Sequence, residues 1–271
     1  PTAGHRIIGA YQERNVSVAN DHFSAVDLST VNPLVVDVHD LISINYTGVI
    51  TANFFLEGQY SERTLNLGAG EGGKTTDRIG GTWLLDLANF SFLNSPVCCA
   101  VCTETQRDND NTILKGSYFL STENRGTHDF VFGYDDFTDI NVRENHQSAS
   151  DYHVWSLDAN IVRGQDVFPV VTHNGYNRLR WTPVLEATQG MQFATTSIFA
   201  NDTWRLGTKT SLSLGVRYDE NDSNNASGEV ISDDKKLSPR LGFAYDLKGD
   251  GDTVLNATYG HYASSINTGA N

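Results

Sequence analysis

The octapeptide "GAGEGGKT", residues 68–75, carries a phosphate-binding pattern, G-x-x-x-x-G-K-[ST], and Gly68, Gly70 and Gly73 also satisfy G-x-G-x-x-G. In a phosphate loop, backbone amides and Lys74 would cradle the phosphates while Thr75 would hold magnesium. That chemistry needs a buried strand before the loop and a helix opening after it. Here a half-polar stretch precedes the motif, and "TDRIGGTW" with its adjacent glycines follows. The context predicts a surface loop. A nucleotide-dependent enzyme using 68–75 is the alternative reading.

Other reactive residues are few. Cys98, Cys99 and Cys102 lie together in "SPVCCAVCTET". A local disulfide between Cys99 and Cys102 suits an oxidising compartment and leaves one thiol over, whereas a zinc site would want a fourth ligand at suitable spacing. "DLKGDGD" (246–252) resembles a calcium loop, but Lys248 stands at a ligand position and Ala257 where a bidentate Glu is required, so a tight turn is expected. His146 and His153 form the one close histidine pair and are read as loop residues. Neither H-E-x-x-H nor G-x-S-x-G is present. The sequence therefore assigns no catalytic, cofactor-binding or metal-binding residue.

The elements around these motifs are β in character. Among 271 residues there are only 6 prolines and 1 methionine, against 24 glycines and aromatic residues spread along the chain. That mixture suits strands and turns. A formal net charge of −14 with scattered Lys and Arg argues against a nucleic-acid partner. No apolar run approaches the roughly 18 residues of a membrane helix, and Pro1–Gly4 lacks the basic and apolar regions of a signal peptide. A barrel strand needs only about 9–11 residues with one apolar face, so a membrane stays open.

Period-two alternation is the dominant pattern. In 197–221, Ile198, Ala200, Asp202 and Trp204 share one face, and Phe199, Asn201, Thr203 and Arg205 the other; beyond Gly207, Leu212, Leu214, Val216 and Tyr218 share a face. Hairpins of the same form are read at 41–50 with 54–65, 112–122 with 127–137, and 238–247 with 253–263, each joined by a short turn. The connections 66–111, 138–192 and 221–237 are long and polar, with extra strands expected at 81–92 and 166–171. Tyr46, Tyr60, Tyr118, Tyr134, Trp204, Tyr218, Tyr245 and Tyr259 suit interfacial girdles. Glu57, Glu62, Lys115, Asp129, Arg217 and Arg240 are candidate lumen-lining charges. Short turns on one side and long loops on the other characterise outer-membrane barrels. A soluble β-sandwich also alternates, but would have short connections at both ends.

Residues 197–263 resemble the barrel of TonB-dependent outer-membrane receptors, particularly the Oar-like group. The resemblance rests on F-x-x-D-x-W (Phe199, Asp202, Trp204), L-x-L-G-x-R-Y-D (Leu212, Leu214, Gly215, Arg217, Tyr218, Asp219), S-P-R-x-G-x-x-Y-D-x-x-G-D-G (Ser238, Pro239, Arg240, Gly242, Tyr245, Asp246, Gly249, Asp250, Gly251) and Y-G-x-Y (Tyr259, Gly260, Tyr262). Upstream hairpins extend the likeness over most of 40–263. It implies an all-β, antiparallel, up-and-down transmembrane barrel in the bacterial outer membrane. It also implies a lipid bilayer around the wall, an unknown small solute or peptide as ligand, and TonB and a plug domain as partners in the full-length protein.

Plugged transporters use about 22 strands, and the hairpins read here supply fewer than half. Residues 1–271 are accordingly expected to be part of one barrel domain, a partial barrel without plug domain or closing strands. The alternative is a secreted or surface-attached, soluble β-rich binding protein.

Overall fold

The computed structural model describes residues 4–21, 27–68, 77–96, 105–143, 148–158, 160–164, 166–183, 185 and 188–262. The strands, in chain order, are β1 (His5–Asp21), β2 (Asn32–Thr51), β3 (Phe54–Leu67), β4 (Trp83–Asp86), β5 (Ser91–Leu93), β6 (Thr105–Thr122), β7 (Gly126–Val142), β8 (Tyr152–Ser156), β9 (Asn160–Arg163), β10 (Asp166–Pro169), β11 (Arg178–Trp181), β12 (Met191–Leu206), β13 (Thr210–Asn224), β14 (Val230–Asp246) and β15 (Val254–Gly260). Among the described residues there is no α-helix, only a 3-10 turn at Leu28–Thr30.

Nine strands form one sheet in the order β1-β2-β3-β6-β7-β12-β13-β14-β15, every pair antiparallel. Each strand lies beside its neighbours in chain order once β4, β5 and β8–β11 are set aside, which is the up-and-down connectivity of a barrel wall. The sheet is not closed: β1 and β15 are its two edges. Among the described residues no second sheet packs across it as a sandwich would require.

The turns alternate as expected. Ala52-Asn53, Glu123–Arg125 and Gly207–Lys209 close three hairpins at one end. The fourth, after β14, is organised by Asp246, whose carboxylate accepts from the backbone N–H of Lys248 at 3.2 Å, Gly249 at 2.8 Å and Gly251 at 2.8 Å. Gly249 (φ +82°) and Gly251 (φ +81°) supply left-handed conformations that cost a residue with a Cβ. This geometry is that of a tight turn.

The ends and extents of the strands differ from expectation. Residues 221–237 are not a long outer loop: β13 runs to Asn224 and β14 resumes at Val230, with a short turn at 225–229 held by Asn225. Polarity on both faces suggested a loop, yet strands that protrude beyond a membrane are wetted on both sides while their backbone ladder continues. The same extension trims the connections after β3 and β7. Residues 5–21, which carried no strand assignment, form β1, paired with β2 along its length.

The two longest connections fold together. β4 and β5 come from the first and β8 to β11 from the second; they assemble a four-stranded sheet, β11-β8-β4-β5, with β4 and β8 parallel, and a separate β9–β10 hairpin. We refer to this unit as the cap. Residues 81–92 thus form two short strands rather than one, because buried Asp86 accepts from the N–H of Ala88 at 2.9 Å and of Asn89 at 3.2 Å and turns the chain. The buried apolar cluster of the described residues, Leu84, Val154 and Val167 with half-buried Leu93 packed against it, lies here and not in the large sheet.

Candidate functional site: the two faces of the wall and the cap

Directly opposed residues in an antiparallel ladder share a face, so the registers sort every side chain of the large sheet. The row Ile7, Tyr46, Gly58, Leu114, Tyr134, Ile198, Tyr218, Leu237 crosses eight strands. Stepping by two from this row gives a face of Ile42, Ile44, Leu56, Tyr118, Phe130, Phe132, Ala200, Leu212, Leu214, Val216, Leu241, Phe243 and Leu255. Many of these are left open: Ile7 is 73% exposed, Ile198 56%, Leu237 59% and Leu114 51%. A continuous apolar face of this size on a water-soluble protein would be an association site. On a barrel it is the lipid contact.

The residues expected in girdles, Tyr46, Tyr60, Tyr118, Tyr134, Trp204, Tyr218, Tyr245 and Tyr259, all fall on this face. Tyr218 lies six residues beyond Leu212, the partner of Trp204, about 20 Å of strand. At the outer row the tyrosines meet carboxylates two residues further along: Tyr11 donates to Glu13 at 3.1 Å and Tyr60 to Glu62 at 2.8 Å. Level with these pairs on the same face lie Asp40 opposite Glu13, Asp110 and Asp233 in the row of Glu62, and Asp136 and Glu220 in the row of Tyr60. At the inner end Trp204 donates its indole N–H to the Arg125 carbonyl at 2.7 Å and stacks on His128 at 5.1 Å, while His128 contacts Asp202 at 2.8 Å. An aromatic body with a hydrogen-bonded tip suits an interface with one dry and one wet side.

The opposite face is polar. Glu57 and Lys115 face each other there as an ion pair, and Asp129, Arg217 and Arg240 share that face. Glu62 does not: its parity places it with Tyr60 on the apolar side, at the carboxylate row. Arg217 is the hub. Its Nε donates to Asp219 at 2.6 Å and its Nη2 to Ser197 at 2.8 Å and Asp135 at 3.1 Å, with its guanidinium 5.9 Å from the Phe199 ring centroid. Ser197 donates to Asp219 at 2.7 Å, and Phe199 lies over Gly133, where an added Cβ would come within 2.7 Å of its ring. Thus the F-x-x-D-x-W and R-Y-D segments divide by parity: Phe199, Arg217 and Asp219 knit the polar face, and Asp202, Trp204 and Tyr218 the apolar one.

The cap sheet also has two faces. On one, Trp83 stacks on His153 at 5.1 Å, and Trp155 and Phe92 meet Trp83 edge-on. His153 is buried, and burial, with Arg180 nearby, holds its imidazole below the usual histidine range. On the other, Leu84 and Val154 line a cavity of about 290 Å³ closed by the β9–β10 hairpin. Asn94 fixes the hairpin: its Nδ2 donates to the Val167 carbonyl at 2.7 Å and its Oδ1 accepts from the Val167 N–H at 3.2 Å. The Asn94 N–H donates in turn to Ser29 Oγ at 2.9 Å, joining the cap to the connection after β1. Asp158 is held below the usual carboxylate range by hydrogen bonds from Thr172, Asn177 and Asn174.

Of the sequence motifs, Cys98, Cys99, Cys102, His146 and residues 69–75 lie outside the described residues. His153, the partner proposed for that histidine pair, is a buried cap residue rather than a loop residue. The cavity was not foreseen, because its walls come from segments about 75 residues apart in sequence, such as Asn94 and Val167 (|i−j| = 73).

A meandering sheet with one lipid-type face, aromatic girdles, a polar opposite face and elaborated connections at one end defines a membrane-spanning β-barrel wall. A family model described as TonB dependent receptor-like, beta-barrel, matches residues 38–271, and the chain belongs to that family. Its members are outer-membrane receptors and transporters of Gram-negative bacteria, not enzymes, and work with TonB and a plug domain in the full protein. No curated protein matches the chain.

Proposed function

We propose that this chain forms part of one barrel domain of an outer-membrane receptor that binds a scarce small solute or peptide at the cell surface and admits it by TonB-dependent gating. The observation that carries the reading is the segregation of the wall: tyrosines and aliphatic residues on one face, and the Arg217 network with Glu57 and Lys115 on the other. The polar face then lines the path and meets a plug, the cap faces the exterior, and the short turns face the periplasm. The chemistry is binding and gated passage, without covalent catalysis.

Sidedness is the direct test. In a background with Cys98, Cys99 and Cys102 replaced by Ser, a membrane-impermeant maleimide should label Tyr176→Cys in intact cells and Thr208→Cys only after permeabilisation. Labelling of both in intact cells, or of Thr208→Cys alone, would overturn the assignment.

A further inference from the structure

The cavity in the cap is a built site. Its floor is the buried pair Leu84 and Val154, its lid the Val167–Phe168 segment of the β9–β10 hairpin, and its open rim Leu179, which is 63% exposed. A volume of about 290 Å³, set against roughly 30 Å³ for each water-sized group, holds roughly ten non-hydrogen atoms. The walls are mostly apolar, and among the described residues Arg78 is the only charged side chain lining them. Its guanidinium lies 5.7 Å from the Tyr152 ring centroid, so the fork is stacked on an aromatic wall of the same cavity. Arg78 is itself exposed, so it offers a forked, charge-assisted contact at the mouth of the cavity while the apolar walls lie deeper.

We propose that this cavity binds a small monocarboxylic acid, its aromatic or branched aliphatic body against Leu84, Val154 and Phe168 and its carboxylate on the Arg78 guanidinium. One planar cation among apolar walls matches a carboxylate, which takes two parallel N–H donors. The site is held in shape before any ligand arrives, by the parallel β4–β8 pairing and the two Asn94 bonds to Val167, so little ordering cost is added on binding. The proposal rests on the reading of the cap as the exterior, ligand-facing end of a receptor, but its assay requires neither TonB nor transport.

The test is titration calorimetry of the detergent-solubilised chain with 3-phenylpropionate and with its uncharged amide. Saturable binding of the acid is expected with Kd near about 1 mM, as suits a ligand this small, with the amide roughly tenfold weaker. Arg78→Gln should weaken the acid roughly tenfold and leave the amide unchanged, and Leu179→Trp, which fills the rim from an exposed position, should abolish both. Equal affinity for acid and amide, no saturable binding of the acid, or undiminished binding in Leu179→Trp would overturn the proposal. Failure of the membrane reading would show instead in the maleimide sidedness experiment, with binding in the cap intact.

Discussion

Arg217 on β13 reaches across β12 to donate to Asp135 on β7 at 3.1 Å, while its Nε holds Asp219 at 2.6 Å. One cation thereby joins three adjacent strands on the polar face. Asp219 is only 5% exposed, so removing the cation leaves a desolvated carboxylate without its counter-charge, held by the Ser197 hydroxyl alone among the hydrogen bonds described. Arg217→Ala should destabilise the folded barrel by about 2 kcal/mol, and Arg217→Lys should recover only part of this because a point charge does not match the fork. Urea unfolding in lipid vesicles measures both.

Opposite faces should respond oppositely to charge. Leu214→Arg places a cation in the apolar band and should cost about 2–4 kcal/mol in a bilayer. Ser213→Arg, one residue away on the polar face, should cost less than about 0.5 kcal/mol. Equal costs by the same unfolding assay would mean that the faces are misassigned.

How much of this was legible in the sequence follows from what alternation encodes. The partition of Ile198, Ala200 and Trp204 from Phe199, Asn201 and Arg205 holds, and so does the alignment of Leu212–Tyr218 with the first set, because a strand between oil and water must alternate. Glu62 was misjudged because charge alone does not fix parity; Tyr60 beside it on the same face does. Strand ends at Asn224 and Val230 were hidden since Val230 and Ile231 are adjacent and residues 219–225 are all polar, so no period-two alternation marks a face there. The cap was illegible in a different way. β4 and β8 pair through strands of four and five residues that come from separate connections, and such pairing leaves no periodic signal.

Acid should loosen the cap through His153. Burial, and then Arg180, hold its imidazole below the ordinary value of 6.5, so folding favours the neutral ring and the unfolded chain takes up the proton first. Cap stability is therefore fully present above that value and declines as pH falls below it. Asp158, whose carboxyl is held below its ordinary 3.8, contributes stability that is lost only as pH falls beneath that lower value. Hydrogen exchange in β4 and β8 should accelerate between about pH 6.5 and 5, and His153→Phe should remove this dependence.

Asn94 ties the β9–β10 hairpin to the cap sheet with both ends of its amide and adopts φ +75°. Asn94→Ala removes both bonds at a backbone angle that alanine tolerates poorly, and should cost about 1–3 kcal/mol of local stability. Exchange in 166–169 should rise while exchange in β12 and β13 stays unchanged.

The central claim is that oil wets the Leu212, Leu214, Val216 face and water the Ser211, Ser213, Gly215 face. The most direct measurement is quenching of a fluorophore by brominated lipid, with single cysteines placed in turn at 211 to 216 in the cysteine-free background and the chain reconstituted in vesicles. Strong quenching at 212, 214 and 216, with weak quenching at 211, 213 and 215, is the predicted result. Uniform quenching, or the opposite parity, would contradict it.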